Sequence, residues 1–215
     1  MRAPIVVERL KQTYPVAHTE LQSTDQFQLL VAVILSAQTT DVRVNQVTPA
    51  LFARYPTAES LAVAAQEDVE AIIRPTGFFR SKSRAIREMA QDVVRVHGGA
   101  VPGTMAELVK LRGVGRKTAN VVLGVAFDEP GFAVDTHVRR LTRLLRLTNA
   151  NDPKDIEHDV TSLVPPAEWS DLSLRLILHG RRVCVARRPR CPDCVLNDIC
   201  PSAFLGLKPV TVGRR

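Results

Sequence analysis

Apolar residues recur along this chain mostly at three- and four-residue intervals, the spacing of one face of an α-helix, while alternation of period two is rare. The pattern predicts helices over 4–14, 27–38, 42–54, 58–64, 67–74, 81–97 and 105–111. It predicts another from near Arg116 up to an Asp-Glu-Pro-Gly turn at 128–131, and three more over 136–147, 153–163 and 167–183. Thr24-Asp25, Asp41, Gln66 and Thr104 stand where helix starts want a capping side chain. Pro15, Pro56 and Gly98-Gly99 stop the helices before them, and Pro153 and Pro166 occupy favourable first-turn positions. Residues 27–38 are apolar on nearly all sides, which predicts a buried helix. Segment 75–80 breaks the pattern as a loop with two adjacent phenylalanines and leads into a run of cations, Arg80, Lys82 and Arg84. The region 184–215 is irregular. No internal repeat and no convincing strand appear, so the class is all-α.

One stretch departs from plain helix patterning. Leu-Arg-Gly-Val-Gly-Arg-Lys-Thr-Ala-Asn, residues 111–120, puts two glycines around Val114 just before an apolar helix. Glycines permit positive φ and leave backbone N–H groups bare, and a helix N-terminus favours an anion. Gly113, Gly115 and Arg116 could cradle a phosphate, with Lys117 in the first turn beside it. The same pattern also suits a plain tight turn between helices with a solvated lysine, and the residues alone leave both readings open. Asp135, eighteen residues after Lys117, opens the next helix.

Composition narrows the partners. With 45% apolar and 24% charged residues among 215, the chain can bury a substantial core, which excludes a disordered polypeptide. A formal charge of +7 suits a polyanion. The excess is clustered: Arg139, Arg140, Arg143 and Arg146 share one predicted helix, and Arg181, Arg182, Arg187, Arg188 and Arg190 fall within ten residues that hold no acid. The N-terminus lacks the apolar core of a signal peptide, and the longest apolar run, Leu29 to Leu35, is too short to span a membrane. The expectation is a soluble, intracellular protein with no membrane association.

All four cysteines lie in one pattern, Cys184-x6-Cys191-x2-Cys194-x5-Cys200. Clustering of this kind indicates a metal centre. Four thiolates suit tetrahedral zinc or a [4Fe–4S] cluster, and an intracellular setting disfavours disulfides. A second Cys-x2-Cys pair, which a zinc ribbon would carry, is missing.

Taken together, the 111–120 hairpin, Val134-Asp135-Thr136-His137-Val138-Arg139, the cysteine pattern and Leu35-Ser36-Ala37-Gln38-Thr39-Thr40-Asp41 resemble the bacterial endonuclease III family of helix-hairpin-helix DNA glycosylases. The resemblance covers nearly the whole chain in the family's order. It implies a two-lobed all-α fold with a DNA-binding cleft between a six-helix lobe, residues 20–130, and an iron–sulfur lobe made of 1–19 and 131–215. It implies a monomer, cytoplasmic and nucleoid-associated, acting on double-stranded DNA that carries a damaged pyrimidine or an abasic site. The activity implied is that of a bifunctional glycosylase and abasic-site lyase, with Lys117 as nucleophile, Asp135 as essential acid, and a [4Fe–4S] cluster on Cys184, Cys191, Cys194 and Cys200. Gln38 and Phe78 match positions that enter the duplex when a nucleotide is flipped. His137 matches the pattern as a structural histidine. Two departures stand out: Arg112 replaces the family's usual proline, and Phe78-Phe79-Arg80 replaces Leu-Tyr-Asn or similar. A mismatch-specific relative, which usually has serine at position 117, and a non-catalytic hairpin module are the alternatives.

Overall fold

A computed structural model describes residues 2–204. Among the described residues there are eleven α-helices, three 3-10 turns and no strand. The chain forms two compact units. One is His18–Ala133; the other joins the N-terminal residues through Ala17 to the chain from Val134 onward.

The 18–133 unit is built around α2 (Gln26–Leu35), whose residues from Leu29 to Leu35 are all buried, as its all-round apolar pattern predicts. Asp25 caps it by accepting from Gln28 N–H. Around it lie α3 (Asp41–Arg54), α4 (Ala58–Ala62), α5 (Gln66–Ile73), α6 (Phe79–His97), α7 (Met105–Leu108) and α8 (Arg116–Ala126). Helix α2 packs on α3, α6 and α8, and α4 packs on α6. Helix α6 buries Lys82, Ile86, Met89 and Val93 on one stripe and ends at Gly98 in the left-handed conformation, φ +61°, where glycine is least strained.

Several boundaries differ from those the pattern predicts. Thr40, not Asp41, caps α3, because its hydroxyl accepts from Arg43 N–H and leaves Asp41 as the first helical residue. Ala65 precedes α5, so that helix starts with no side-chain cap. Helix α7 is one turn rather than the span 105–111, since Val109 to Arg112 unwind into the hairpin. Helix α6 starts at Phe79 rather than 81, because the Phe79 ring packs against the core and draws the first turn back with it.

The second unit contains α1 (Ala3–Thr13), α9 (Thr136–Leu144), α10 (Pro153–Thr161) and α11 (Trp169–Arg182). Pro153 begins α10 behind an Asp152 cap, and Pro166 begins a 3-10 turn that leads into α11. Helix α9 ends at Leu144, short of the predicted 147, and Arg146 turns left-handed at φ +51°. Arg175 on α11 is buried. It donates to the Tyr14 carbonyl and pairs with Glu168 at 3.3 Å and Asp171 at 2.6 Å, which satisfies a charge that burial would otherwise make costly.

Candidate active site and cysteine centre

The hairpin 109–115 joins α7 to α8. Gly113 has φ +79°, and a Cβ there would meet Ala85 Cβ at 3.2 Å and Ile34 Cγ2 at 3.4 Å, so the turn lies tight against α2 and α6. Gly113 therefore answers both to conformation and to space. Gly115 is different: its backbone is extended, and a Cβ would have open space around it. Of the two glycines only the first needs positive φ. Gly115 is the N-cap of α8 and offers no side chain, which leaves the helix end open to a close approach. Val114 between them is buried. Arg116 and Lys117 are the first two residues of α8, and both are exposed. Arg112 pairs with Glu88 of α6 at 3.3 Å, so its cation is engaged with the protein in the place of the family's proline.

Loop 127–135 leads from α8 to α9. Asn120, buried on α8, donates from Nδ2 to the Phe132 carbonyl at 3.1 Å, and Gly131 lies so close to α8 that a Cβ would stand 2.6 Å from the Asn120 carbonyl oxygen. Asp135 follows as the N-cap of α9, its Oδ1 accepting from Val138 N–H at 2.8 Å. His137 is half-buried; burial is the main cause of its lowered pKa and outweighs the neighbouring Asp135 carboxylate, which acts to raise it.

Gln38 and Phe78 share an unusual backbone. Both are non-glycine residues in the left-handed region, at φ +54° and φ +48°. That conformation costs about 1–2 kcal/mol for an ordinary residue. Phe78 is 66% exposed, so its ring is not a core aromatic, whereas Phe79 is partly buried against the core, with the guanidiniums of Arg74 and Arg80 5.7 and 5.8 Å from its ring centre.

The cation run 80–84 divides. Arg80 and Arg84 are exposed, but Lys82 is 5% exposed and burial pushes its pKa down. Sequence reasoning missed it. The available signal was its place on the apolar stripe of α6 with Ile86 and Met89.

All four cysteines line one cavity of about 260 Å³, together with Arg140, Leu144 and Pro189. Burial pushes the Cys184 and Cys194 thiols up. His179 is buried, its pKa pushed down to about 4 by desolvation; its Nε2 lies 3.3 Å from Cys194 Sγ and its Nδ1 lies 3.2 Å from the Tyr14 hydroxyl. Arg140 donates from Nη2 to the Gly180 and Cys184 carbonyls, at 3.0 and 2.8 Å. Its Nε is the one buried side-chain nitrogen or oxygen without a hydrogen-bond partner among the described residues. A cavity lined by four cysteines and the Arg140 cation fits an anionic inorganic group. Among the described residues no three His, Cys, Asp or Glu side chains are grouped so as to hold a single metal ion. Arg139, Arg143 and Arg146 are exposed and line a neighbouring groove of about 550 Å³ with Thr136 and Asn149.

Residues 31–166 match the model of the HhH-GPD superfamily base excision DNA repair proteins. Over 203 residues the chain is 50% identical to endonuclease III of Synechocystis sp., an alignment covering 94% of this chain and 93% of that one. The chain belongs to the endonuclease III family. It is 40% identical to endonuclease III of Bacillus subtilis over 195 residues, 90% of this chain and 89% of that one. The structure of a trapped covalent intermediate of endonuclease III with DNA, an estranged-adenine complex, superimposes with a TM-score of 0.92 at 38% identity, covering 96% of this chain and 98% of that chain. The endonuclease III fold is thus the fold of this chain, all helical and built on the hairpin. No helix among the described residues is long and apolar enough to cross a membrane.

Proposed function

We infer that this protein is a bifunctional DNA glycosylase and abasic-site lyase of base excision repair, acting on oxidised pyrimidines in duplex DNA. The observation that carries the reading is an exposed lysine at the second position of a helix whose N-terminal glycine leaves the helix end bare, in a chain of this family. Gly113, Gly115 and Arg116 would seat a backbone phosphate there. A neutral Lys117 amine can attack the sugar C1′ and displace the base with its bonding electrons. Loss of the amine proton and opening of the ring then give a Schiff base, which acidifies the C2′ proton and allows β-elimination of the 3′ phosphate. Asp135 would stabilise the cationic sugar or carry a proton, while capping α9. The N-cap and the catalytic role use the same carboxylate without conflict, since one oxygen suffices for the cap. Gln38 and Phe78 would fill the space that a flipped nucleotide leaves. In the related structure, endonuclease III is covalently trapped on DNA, which agrees with an amine nucleophile.

Cys184, Cys191, Cys194 and Cys200 would hold a [4Fe–4S] cluster, and the Arg140 guanidinium lines the same cavity. The cluster would replace the thiol protons and fasten the 184–200 segment as a cross-link; it takes no part in the steps above. Such a protein works where the chromosome lies, in the cytoplasm, as a monomer.

Borohydride reduction on abasic duplex DNA tests the reading. Wild type should give a covalent adduct, and Lys117→Ala should give none while DNA affinity stays within about tenfold, or about 1.4 kcal/mol. An adduct that persists in Lys117→Ala would move the nucleophile elsewhere, and no adduct in wild type would favour a monofunctional or non-catalytic protein.

A further inference from the structure

Gln38 and Phe78 stand on different segments, 36–40 and 74–78, and each is held left-handed. Strain of this kind persists only where the surroundings over-determine it. Here the surroundings converge on one side chain. Lys82 extends inward from the first turn of α6, and its ammonium donates to Thr39 Oγ1 at 2.6 Å and to the Thr76 carbonyl at 2.9 Å. The Thr39 hydroxyl in turn donates to the same Thr76 carbonyl at 2.6 Å. Thr39 directly follows Gln38, and Thr76 lies two residues before Phe78. Thr76 is itself anchored, since its hydroxyl donates to the Ile73 carbonyl at 2.8 Å. Both hydrogen-bond partners of the ammonium are neutral oxygens. A lysine on the apolar stripe of a helix is costly to bury, and a methionine there would satisfy the core alone. What a methionine could not do is join the two segments.

We propose that Lys82 is a positioning residue for base flipping: its buried ammonium ties the Gln38 segment to the Phe78 segment and so sets the spacing of the two side chains that enter the duplex. The proposal rests on the reading of Gln38 and Phe78 as those side chains. The tips, Gln38 and Phe78, are exposed, while the junction beneath them is closed, as a rigid support for a probing pair requires.

The test uses Lys82→Met, which keeps the volume and removes the cation. Thr39→Val removes the shared oxygen at nearly constant shape, and Thr39→Ser restores it. For each variant and for wild type, four quantities are measured: the melting profile, single-turnover excision of an oxidised pyrimidine, nicking of a ready-made abasic site, and fluorescence of 2-aminopurine placed opposite the lesion. Lys82→Met and Thr39→Val should slow excision by about tenfold to a hundredfold, the cost of a small misplacement. They should also blunt the 2-aminopurine rise, while nicking changes by less than about threefold because an abasic site has no base to unpair. Thr39→Ser should behave as wild type. Equal loss of excision and nicking, or unchanged excision in Thr39→Val with a normal melting profile, would overturn the proposal. Wild-type enzyme that traps on abasic DNA yet shows no 2-aminopurine response would instead overturn the flipping role of Gln38 and Phe78 on which it rests.

Discussion

Phe78 is exposed and strained at once, a pairing that packing alone does not select. Replacing it with glycine removes the left-handed penalty of about 1 kcal/mol and gives up little buried surface. Phe78→Gly should therefore melt at or slightly above the wild-type temperature, yet excise an oxidised pyrimidine more slowly and nick abasic DNA almost normally. A stability loss of about 3–5 kcal/mol, the usual cost of deleting a buried aromatic, would make the ring a core residue after all. Asp135 poses the matching question for a carboxylate, because it caps α9 through Val138 N–H. Asparagine caps as well as aspartate, so Asp135→Asn should cost less than about 1 kcal/mol of stability while turnover falls severely. Turnover within a few-fold of wild type in that variant would reduce Asp135 to a cap.

At the scale of elements, the hairpin and the loop that follows α8 act as one piece of backbone geometry. Gly113 is wedged against Ala85 and Ile34, and Gly131 presses on the Asn120 carbonyl. Gly113 meets side-chain carbons, whereas the Gly131 contact is with backbone, which yields less. Gly131→Ala has no room for its methyl group without moving either α8 or the strand of chain that delivers Asp135. Overpacking of this kind costs about 1–3 kcal/mol, and the displaced loop should depress turnover further. Gly115→Ala has open space and an ordinary backbone, so its stability should change by less than about 0.5 kcal/mol, the range of surface substitutions. A comparison of the two melting curves checks both expectations. If Gly115→Ala keeps its stability but loses DNA affinity, close approach of a phosphate to bare backbone is the cause.

For the whole molecule, charge and cysteine chemistry set the behaviour. The formal +7 favours DNA everywhere, but its local sources are unequal. Arg187, Arg188 and Arg190 are all exposed, but Arg190 is tied to the backbone, donating to the Arg182 carbonyl beside the cysteine cavity that it and Arg187 line. Neutralising Arg187 and Arg188 to glutamine should reduce the slope of log affinity against log salt by up to about 1 each, with an unaltered melting curve. Arg190→Gln should also loosen the cysteine segment, and so lower the cluster content of the purified protein. An anaerobic preparation of wild type should be yellow-brown with about four irons per chain. A colourless preparation with one zinc per chain would replace the cluster with a tetrahedral zinc site.

Helical periodicity, proline and glycine stops and the cysteine spacing were enough to read the class of fold and most of its helices, because these depend on local backbone chemistry and on the amphipathic face each segment must bury. The buried character of α2 follows from its own residues, as do the Asp25 cap and the start of α10 at Pro153. The motif at 111–120 marked the hairpin, the spacing of the four cysteines pointed to a metal centre, and likeness to a family singled out Lys117 and Asp135 as candidates. Tertiary structure alone decided the rest. It separated Gly113, which needs its missing Cβ, from Gly115, which does not, because that difference lies in neighbours some thirty and eighty residues away in sequence. It turned Lys82 inward among apparent surface cations, and it exposed Phe78 while partly burying its neighbour Phe79. It gathered Arg140 and the four cysteines around one cavity. Each of these is a matter of burial and of which distant oxygen or methyl group a side chain meets, and no local spacing carries that information.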